Sequence, residues 1–410
     1  MNSLRENANY ITEKAITAVL PDEAVKRALA NREFSGRVVM VAIGKAAWQM
    51  AKAAKNIMGD RIEKGIVITK YDHVKGPIPG CECLEAGHPV PDENSFSATE
   101  RAVEMVSGLT EEDTVLFLVS GGGSALFEKP LIPGEELQDI TEQLLKSGAS
   151  ITEINTIRKR LSAVKGGRLA EICAPAKVFS IVLSDIIGDP LDMIASGPAY
   201  PDSSTCEDAL YIVRKHDLEL SDTALSLLAR ETPKELDNVE TVINGSVREL
   251  CVAAKAACEE LGYETEILTD RLACEARDAG VWLAEIAKEH KSTDHKIAFI
   301  AGGETVVHIK GTGLGGRNQE LALAAADIIN GMKAAIFSVG SDGTDGPTDA
   351  AGGYVDGDSA GALGAAGIDL IEVLNNNDSY NALKAIGGLI MTGPTGTNVN
   401  DFACLLMEAE

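Results

Sequence analysis

The first half of the chain alternates apolar runs of strand length with stretches of helical pattern. The run RVVMVAIG at residues 37–44 is followed directly by KAAWQMAKAAKNIM, and further apolar runs occur at GIVITK, TVLFLV and VFSIVL. Short runs rich in Val, Ile and Leu that are separated by helices are typical of parallel strands buried on both faces of a sheet. The pattern therefore predicts an α/β domain, in which ligands bind beyond the carboxyl ends of the strands.

A second set of strands and helices follows a polar, helical stretch at residues 201–240, in which Pro233 is a helix breaker. We place the domain boundary in that stretch, with an N-terminal domain at residues 1–235 and a C-terminal α/β domain at residues 236–410. The second set is predicted to contain strands at TVINGS, YETEILTD, KIAFIAGG, TVVHIK and AAIFSVG, with helices at 247–261, 275–288 and 318–329.

Length and charge narrow the classes of function. A chain of 410 residues exceeds the size of one ordinary hydrophobic core, which favours two domains. Its formal net charge of −25 disfavours nucleic acid and anionic membrane as partners, because both are bound through clustered Lys and Arg. A small anionic substrate is still compatible with this charge, since a local basic pocket can outweigh the global field within about 8–10 Å.

The N-terminus and the cysteines indicate a cytoplasmic protein. Glu6 and Glu13 interrupt the apolar residues of the first helical pattern, so we expect no signal peptide. No apolar run approaches the length of about 18 residues that a membrane helix needs. The eight cysteines form no C-x-x-C pair and no zinc-type spacing, which predicts reduced thiols.

The loop Ser120–Ser124 follows the apolar run VLFLV and contains three consecutive glycines. Glycine has no Cβ, so successive peptide N–H groups can converge on a phosphate oxygen. The alternative is a tight turn without a ligand. Because the loop stands at the carboxyl end of a predicted parallel strand, we favour a phosphate site.

Lys45 directly follows the first apolar run, where the next helical pattern starts. A cation is unfavourable at that position because the helix dipole is positive at its N-terminus. Its presence there points to a bound anion, and the alternative is an exposed surface lysine. The segment is not a Walker A loop, which would require glycine in place of Val39.

Five cations crowd into the segment from Asn155 to Arg168 of this acidic chain. The planar guanidinium of Arg158 suits a carboxylate or a phosphate, although helical spacing spreads the cations over more than one face and a charged helix surface is the alternative. Farther along the chain, Asp185 and Asp189 are natural magnesium ligands beside a phosphate site, or else turn residues.

Two loops in the second half place charged residues next to glycines. Glu304 ends the run KIAFIAGGE, and the segment GTGLGGRNQE at residues 311–320 satisfies the dinucleotide pattern G-x-G-x-x-G. Against a dinucleotide site, Arg317 opens the predicted helix, where its guanidinium would balance the charge on a transferring phosphoryl group. The Asp-rich loop at 341–349 and the polar loop at 375–378 are either ligand contacts or ordinary turns.

Longer blocks resemble a known family, the class II glycerate kinases with their C-terminal MOFRL domain. The resemblance extends from about residue 5 to 405, and the blocks that carry it are GHPVPDENS, LVSGGGSAL, INTIRKRLSAVKGGRLA, VLSDIIGDPLDMIASGP, GGETVV, GLGGRNQELAL, SVGSDGTDGPTDAAGG and TGPTGTNVND. The resemblance implies a Rossmann-like three-layer N-terminal domain, a smaller α/β MOFRL domain and an active site in the interdomain cleft. It also implies ATP-dependent, magnesium-assisted phosphorylation of D-glycerate, usually to 2-phosphoglycerate.

The resemblance and the residue chemistry together give each candidate a role. Lys45 and Arg317 fall on the family's proposed catalytic lysine and arginine, and Asp189 is the expected proton acceptor. The residues expected to bind ATP are Ser120, Gly121, Gly122, Gly123, Ser124, Gly313, Gly315 and Gly316. Glycerate is expected to contact Arg158, Asn155 and Lys45, and magnesium to contact Asp185, Asp189 and Glu304. The expected partners are D-glycerate and ATP, without nucleic acid or membrane, and a homodimer is left open.

Two other functions compete with this hypothesis. An NAD(P)H-dependent hydroxypyruvate reductase rests on GTGLGG alone, because the acidic residue expected about 20 positions later is represented only by Asp342, farther on in a loop crowded with carboxylates. A non-catalytic metabolite-binding protein would need an effector or DNA-binding element, which the sequence does not show.

Overall fold

The computed structural model describes residues 3–409, which form two compact units. The N unit contains residues 24–183 and 189–244. The C unit contains the described residues up to Glu23, residues 184–188 and the described residues from Gly245 onward.

The units are built from strands and helices that alternate along most of the chain. The strands are β1 (Val38–Ile43), β2 (Ile62–Lys70), β3 (Cys81–Ala86), β4 (Thr114–Val119), β5 (Lys177–Leu183), β6 (Val239–Gly245), β7 (Glu264–Leu272), β8 (Ile297–Gly303), β9 (Ala334–Gly340), β10 (Gly352–Asp356), β11 (Leu389–Ile390) and β12 (Asp401–Met407). The helices are α1 (Leu4–Ala18), α2 (Pro21–Leu29), α3 (Ala47–Met58), α4 (Glu93–Val106), α5 (Gly123–Leu126), α6 (Gly134–Lys146), α7 (Ile151–Leu161), α8 (Arg168–Cys173), α9 (Cys206–Lys215), α10 (Asp222–Leu228), α11 (Val247–Glu260), α12 (Ala276–Glu289), α13 (Arg317–Ala325), α14 (Ser359–Ala365), α15 (Leu370–Asn375) and α16 (Ser379–Ala385). Within residues 3–409, none of these helices has the length and apolarity needed to cross a bilayer.

The N unit is organised around a six-stranded sheet with the strand order β3-β2-β1-β4-β5-β6. Strand β1 pairs in parallel with β2 on one side and with β4 on the other, so that Val41 lies opposite Ile66 and Phe117. The β2–β3 and β4–β5 pairs are also parallel. This is the strand order of the doubly wound dinucleotide-binding fold, in which ligands bind where the order reverses. The reversal falls between β1 and β4, and the Rossmann-like prediction is confirmed.

The core of this sheet follows from its sequence. Every residue of β1 and β4 is apolar or Thr and every one is buried, as expected for central strands that are covered on both faces. On one face, Met40 of β1 packs in a single cluster with Met50 and Ala54 of α3. The strands are thereby fixed as a rigid base for the loops at their carboxyl ends.

The division of the chain differs from the predicted boundary between residues 235 and 236. The segment TVINGS, expected to open the second domain, lies in β6 at the edge of the N-unit sheet, next to β5. Backbone bonds tie β6 there at both ends: the Val178 N–H donates to the carbonyl oxygen of Asn238, which precedes β6, at 2.7 Å, and the Ser184 N–H donates to the Gly245 carbonyl oxygen at 2.7 Å. An apolar run of strand length predicts a strand, but it does not say which sheet the strand joins.

Helix α1 also differs from the prediction, which placed it in the N-terminal domain. Its apolar face, with Ile11 and Ala15, packs in one cluster with Val247 of α11 and Phe402 of β12, inside the C unit. The Ser3 hydroxyl and the Glu6 carboxylate form a capping box that fixes its start. The amphipathic helix was predicted correctly, whereas its partner lies far away along the chain.

The C unit contains a mixed six-stranded sheet with the order β11-β10-β9-β12-β8-β7. Strands β7 and β8 are parallel, whereas β12 runs antiparallel to both β8 and β9, and β10 runs antiparallel to β9 and β11. Central strand β12 was not predicted. It is buried at every position, and its run DFACLLM stands at the end of the chain, outside the alternating pattern.

The predicted strand TVVHIK at residues 305–310 does not form. Only Val306 makes an isolated bridge, to Glu275. The segment is polar or exposed, with Ile309 81% exposed, and the Lys310 and Gly311 N–H groups donate to the Asn377 side chain instead of to a neighbouring strand. The G-x-G-x-x-G pattern therefore lacks the preceding strand that a dinucleotide fold requires.

Candidate active site

Two loops meet at the point where the strand order of the N unit reverses. The Lys45 N–H donates to the Gly121 carbonyl oxygen at 2.9 Å, and the Ala46 N–H donates to the Ser120 Oγ at 3.0 Å. Ser120 thereby caps the start of α3, where Ala46 offers no side-chain cap. The structure thus joins Lys45, which is exposed, to the predicted glycine loop.

Some of the glycines at this point are required by packing. A Cβ on Gly44, which has a φ of +109°, would lie 2.3 Å from the Ser120 Oγ, and a Cβ on Gly123 would lie 2.7 Å from the Ala195 Cβ. Helix α5 begins within the loop, at Gly123, and has only four residues. Its dipole is correspondingly small. Any contribution of the loop to phosphate binding thus rests on its peptide groups.

His88, which the sequence did not single out, lies against the same loop. A Cβ on Gly122 would lie 3.0 Å from the His88 Cδ2 and 3.2 Å from the Lys45 Cγ, so the imidazole and the lysine stem flank that glycine. Partial burial, reinforced by the charges of Lys45 and Lys70, lowers the pKa of His88. The sequence does contain a signal for His88, because the segment GHPVPDENS directly follows β3. That signal was hard to recognise, since CECLEA, the run that forms β3, is polar and lacks a typical strand pattern.

A second group of polar side chains forms hydrogen bonds to the glycine loop at Ser124. The Ser124 and Ser196 hydroxyls are 2.9 Å apart, and the Ser196 Oγ donates to the Asn155 Oδ1 at 3.0 Å. Ser196 and the preceding Ala195 have φ values of 62° and 52°, a left-handed conformation that costs free energy in residues other than glycine. Asn155 is 4% exposed and contacts the loop through Ser196 and Ser124. Its expected contact with glycerate stays a prediction.

Arg158 is held beside the loop by a buried charge cluster with Lys165 and Glu128. The Arg158 Nη2 donates to the Ser124 carbonyl oxygen at 3.2 Å, and the Lys165 Nζ donates to the carbonyl oxygens of Ser124 and Phe127, each at 2.8 Å. Glu128 lies 3.6 Å from the Lys165 Nζ and 4.0 Å from the Arg158 guanidinium. Within residues 3–409, the Arg158 Nε is buried and makes no hydrogen bond. The predicted anion-binding arginine thus keeps a donor unused.

Two further cations of the same segment, Lys159 and Arg160, are buried and paired with carboxylates. Lys159 and Arg160 are 1% and 0% exposed. Both reach the carboxylate of Asp202, at 3.0 and 3.4 Å, and Lys159 also reaches Asp192 at 3.1 Å. The alternative of a charged helix surface is therefore wrong for these two residues, because buried charges persist only when they are paired.

The three predicted magnesium ligands do not form a ready-made cage. Among residues 3–409, no group of three or more His, Cys, Asp or Glu side chains could hold a metal ion. Asp185 lies in the C unit, Asp189 lies in the N unit with a φ of 51°, and Glu304 binds Arg317. Magnesium needs only one or two protein carboxylates in addition to substrate phosphates, so each of the three remains a predicted ligand.

In the C unit, Arg317 is the first residue of α13 and is clamped by two carboxylates. Its Nε and Nη2 donate to Asp401 at 2.6 and 3.1 Å, and its Nη1 donates to Glu304 at 2.7 Å. Burial alone would lower the pKa of Arg317, but Asp401 and Glu304 outweigh burial and raise it. The guanidinium is therefore charged and oriented.

The glycines before Arg317 serve the packing of neighbouring loops. A Cβ on Gly313 would lie 2.5 Å from the Asp378 Cβ, one on Gly315 would lie 2.2 Å from the Ser379 Oγ, and one on Gly316 would lie 2.3 Å from the Asp345 Cγ. These contacts explain the glycines without a bound phosphate. The three glycines also line a pocket, so their expected contact with ATP stays a prediction.

The N-terminus of α13 is also occupied. The Asn318 and Gln319 N–H groups donate to the Asp345 carboxylate at 3.1 and 2.9 Å. In a dinucleotide fold these helix N–H groups would face the pyrophosphate. A buried aspartate fills that place here, which explains why the Asp-rich loop at 341–349 lies against the glycine loop.

A pocket of about 600 Å³ opens in the C unit next to Arg317. Its walls include the apolar side chains of Val306 and Ile309 and the polar side chains of Asp342 and Thr344. Val306 and Ile309 are 51% and 81% exposed. Apolar walls with a few polar groups are typical of small-molecule sites.

Comparison with known proteins shows the family of this chain. The chain matches the family described as "Domain of unknown function (DUF4147)" over residues 7–229 and the MOFRL family over residues 297–401. It is 57% identical over 406 residues to a D-glycerate 2-kinase of Thermotoga maritima, with 97% of each chain covered. The chain belongs to the class II glycerate kinase family.

Two further relatives extend the family assignment. A glycerate 2-kinase of Pyrococcus horikoshii is 40% identical over 435 residues, which covers 99% of this chain and 98% of that protein. The crystal structure of a glycerate kinase from Thermotoga maritima superposes with a TM-score of 0.94 at 55% identity and covers 98% of this chain and 99% of that one. The predicted family and the predicted two-domain α/β fold are both confirmed.

Proposed function

We propose that this chain transfers the γ-phosphoryl group of ATP to D-glycerate and forms 2-phosphoglycerate. The observation that carries the proposal is the meeting of Lys45, the glycine loop and Arg158 where the strand order of a doubly wound sheet reverses. Both substrates are anions, and this crevice concentrates cations in a chain with a net charge of −25. The relatives from Thermotoga and Pyrococcus are named for the same reaction.

Within the N unit, each group has a distinct task. The exposed ammonium of Lys45 would neutralise the charge that builds on the transferred phosphoryl group, and the peptides around Gly121 and Gly122 would bind phosphate oxygens. Arg158, whose guanidinium lies beside the loop, would bind the glycerate carboxylate, because a guanidinium matches a carboxylate in two parallel bonds. Asn155 would act indirectly, through Ser196 and Ser124.

Arg317 of the C unit would supply the second catalytic cation. Asp401 and Glu304 fix its orientation through three hydrogen bonds, so little reorganisation is needed when charge develops on a phosphoryl group. The adjacent pocket, with its apolar walls at Val306 and Ile309, is our candidate for the nucleotide. Gly313, Gly315 and Gly316 would line that pocket.

Magnesium bound with ATP would neutralise charge on the phosphate oxygens and hold them in line for transfer. Asp185, Asp189 and Glu304 carry the carboxylate oxygens that this hard cation prefers, and we propose that they hold it. A cytoplasmic location also forms part of the proposal, because the eight cysteines are all free thiols in the structure and reducing compartments preserve thiols.

A coupled assay tests the reaction. Purified protein is incubated with ATP, magnesium and D-glycerate, and enolase is added without phosphoglycerate mutase, so that only 2-phosphoglycerate yields phosphoenolpyruvate. We expect ADP together with phosphoenolpyruvate in proportion to it, and little of either with L-glycerate. Absence of ADP, or oxidation of NADH with hydroxypyruvate in a parallel sample, would refute the proposal.

A further inference from the structure

His88 occupies a position at the glycine loop that no role yet explains. It is separated from the end of β3 by Gly87 alone. It faces Gly122: a Cβ on that glycine would lie 3.1 Å from the His88 Nε2. Gly122 has a φ of +85° and directly precedes α5. The edge of the imidazole that carries Nε2 is therefore turned toward the loop to which Lys45 is bonded.

The nitrogens of this imidazole are available. Across the described chain, neither His88 nitrogen makes a hydrogen bond, whereas neighbouring His73 contacts the Lys45 carbonyl oxygen at 3.1 Å. Asp92, which lies beside Gly87, is already engaged by the Tyr71 hydroxyl at 2.6 Å and by the Ser95 N–H at 3.0 Å. No carboxylate thus competes for His88 from that side.

The charges around His88 favour its neutral form. Lys45 and Lys70, at the ends of β1 and β2, both disfavour a proton on the ring, in the same direction as its partial burial. A neutral imidazole can accept a proton, which an imidazolium cannot. The two lysines would also attract the anionic substrates to the same place.

We propose that His88 Nε2 accepts the proton of the glycerate hydroxyl during phosphoryl transfer. The inference rests on the proposed function. The hydroxyl oxygen forms a bond to the γ-phosphorus while the bond from that phosphorus to the β,γ-bridging oxygen breaks, and ADP leaves with the electron pair. The hydroxyl proton passes to His88 and then to solvent. This assigns to His88 the role that the sequence predicts for Asp189.

The expected size of the effect is moderate. General bases contribute on the order of 10²–10⁴ in rate, but the loose transition state of phosphoryl transfer needs little help in removing a proton. His88→Gln should therefore lower kcat by about 10²-fold and leave KM for ATP within a factor of about three. Asp189→Asn should reduce the rate without abolishing the proton transfer.

A pH profile and chemical rescue test the inference. The wild-type profile of kcat/KM should fall at acid pH, below the usual histidine pKa of about 6.5, and His88→Gln should lose that acid limb. Free imidazole should restore the activity of His88→Ala about tenfold, whereas it should not restore Asp189→Asn. His295→Gln, an exposed histidine of the C unit paired with Asp294, serves as the matched control and should behave like the wild type.

The outcomes separate this inference from the reaction itself. If the wild type phosphorylates glycerate but His88→Gln retains kcat within twofold, or keeps the acid limb, His88 is not the proton acceptor. If the acid limb disappears in Asp189→Asn instead, the proton goes to that carboxylate. A wild type that forms no phosphoglycerate would overturn the proposed function and this inference with it. Binding of ATP and the thermal unfolding midpoint should not change in His88→Gln.

Discussion

The glycine loop of the N unit and the glycine loop of the C unit look alike in sequence, but different groups lie against their glycines. In the N unit, Gly122 is flanked by the side chains of His88 and Lys45. In the C unit, the glycines before Arg317 press against the backbone and side chains of other loops. A run of glycines shows that something approaches closely, but it does not show whether a ligand or another part of the chain does so.

The charged residues of the two regions differ in the same way. Arg317 already uses its guanidinium on Asp401 and Glu304, whereas Arg158 keeps a buried donor unused and Lys45 is exposed. We infer that the N unit provides the groups that adapt to substrates and the C unit provides an arginine oriented in advance. Substitutions in each unit test this difference.

The largest expected effect comes from removing either cation. Lys45→Ala and Arg317→Ala should each lower kcat by on the order of 10²–10⁴, because each removes a cation that would stabilise the negative charge of the transition state. Arg317→Lys should stay impaired, since an ammonium cannot reproduce the two-bond contact with Asp401. Steady-state kinetics measures both, with exposed Lys146→Ala as control. Turnover at the wild-type rate in either alanine variant would remove that residue from the mechanism.

The next effect concerns the buried cluster that holds Arg158. Lys165→Met should destabilise the protein by about 3–5 kcal/mol. Glu128 would lose its nearer cation and remain a buried charge with only the more distant Arg158 as a partner. The double variant Lys165→Met with Glu128→Gln should recover part of that loss. Urea unfolding followed by circular dichroism measures both. A single variant as stable as the wild type would mean that this cluster contributes nothing.

A smaller effect tests the packing role of the C-unit glycines. Gly316→Ala should cost roughly 1–3 kcal/mol, because its Cβ would displace Asp345 from the start of α13. Gly361→Ala in α14 is the matched control: its Cβ would meet open space, and alanine should stabilise the helix by about 0.5–1 kcal/mol. Equal unfolding free energies for the two variants would contradict the packing interpretation.

The smallest effect concerns pH and the helix that carries Arg158. Bonds from Lys215 and from the Ser150 N–H lower the pKa of Glu153 to about 2. In the unfolded chain its pKa is near 4.3, so this stabilisation is present above that pH and is lost as the pH falls toward 2. Glu153→Gln should remove about 1 kcal/mol or less at neutral pH, since solvent screens the pair. Wild type and variant should therefore converge in stability at acid pH, and a constant difference would contradict this account.

Many of the strands and helices could be predicted from the sequence, because each depends on the pattern of residues within its own short segment. Runs such as RVVMVAIG gave β1, and the helical pattern beside it gave α3. The sheet to which β6 belongs, the docking of α1 and the existence of β12 depend on contacts between distant segments, which periodicity does not encode. The strand predicted at TVVHIK does not form. The Asn377 side chain accepts hydrogen bonds from the Lys310 and Gly311 N–H groups, which compete with pairing to a neighbouring strand.

Residues of the candidate site could be predicted where the charge of a side chain is unfavourable at its place in the sequence. Lys45 is a poor helix start and Arg158 is a cation in an acidic chain, and the structure places both beside the glycine loop. His88 gave no such conflict, because a histidine in a loop is unremarkable until its neighbours are known. The burial of Asn155 was equally invisible, since polar residues at helical spacing do not reveal which face is covered.

The proposed reaction is tested most directly by ³¹P NMR of one mixture that contains the protein, ATP, magnesium and D-glycerate. The account predicts that the γ-phosphate resonance of ATP disappears while the resonance of the 2-phosphoglycerate monoester grows in step with ADP, and that Lys45→Ala slows both changes. ATP that stays intact, or is hydrolysed to inorganic phosphate with no phosphoglycerate, would contradict it.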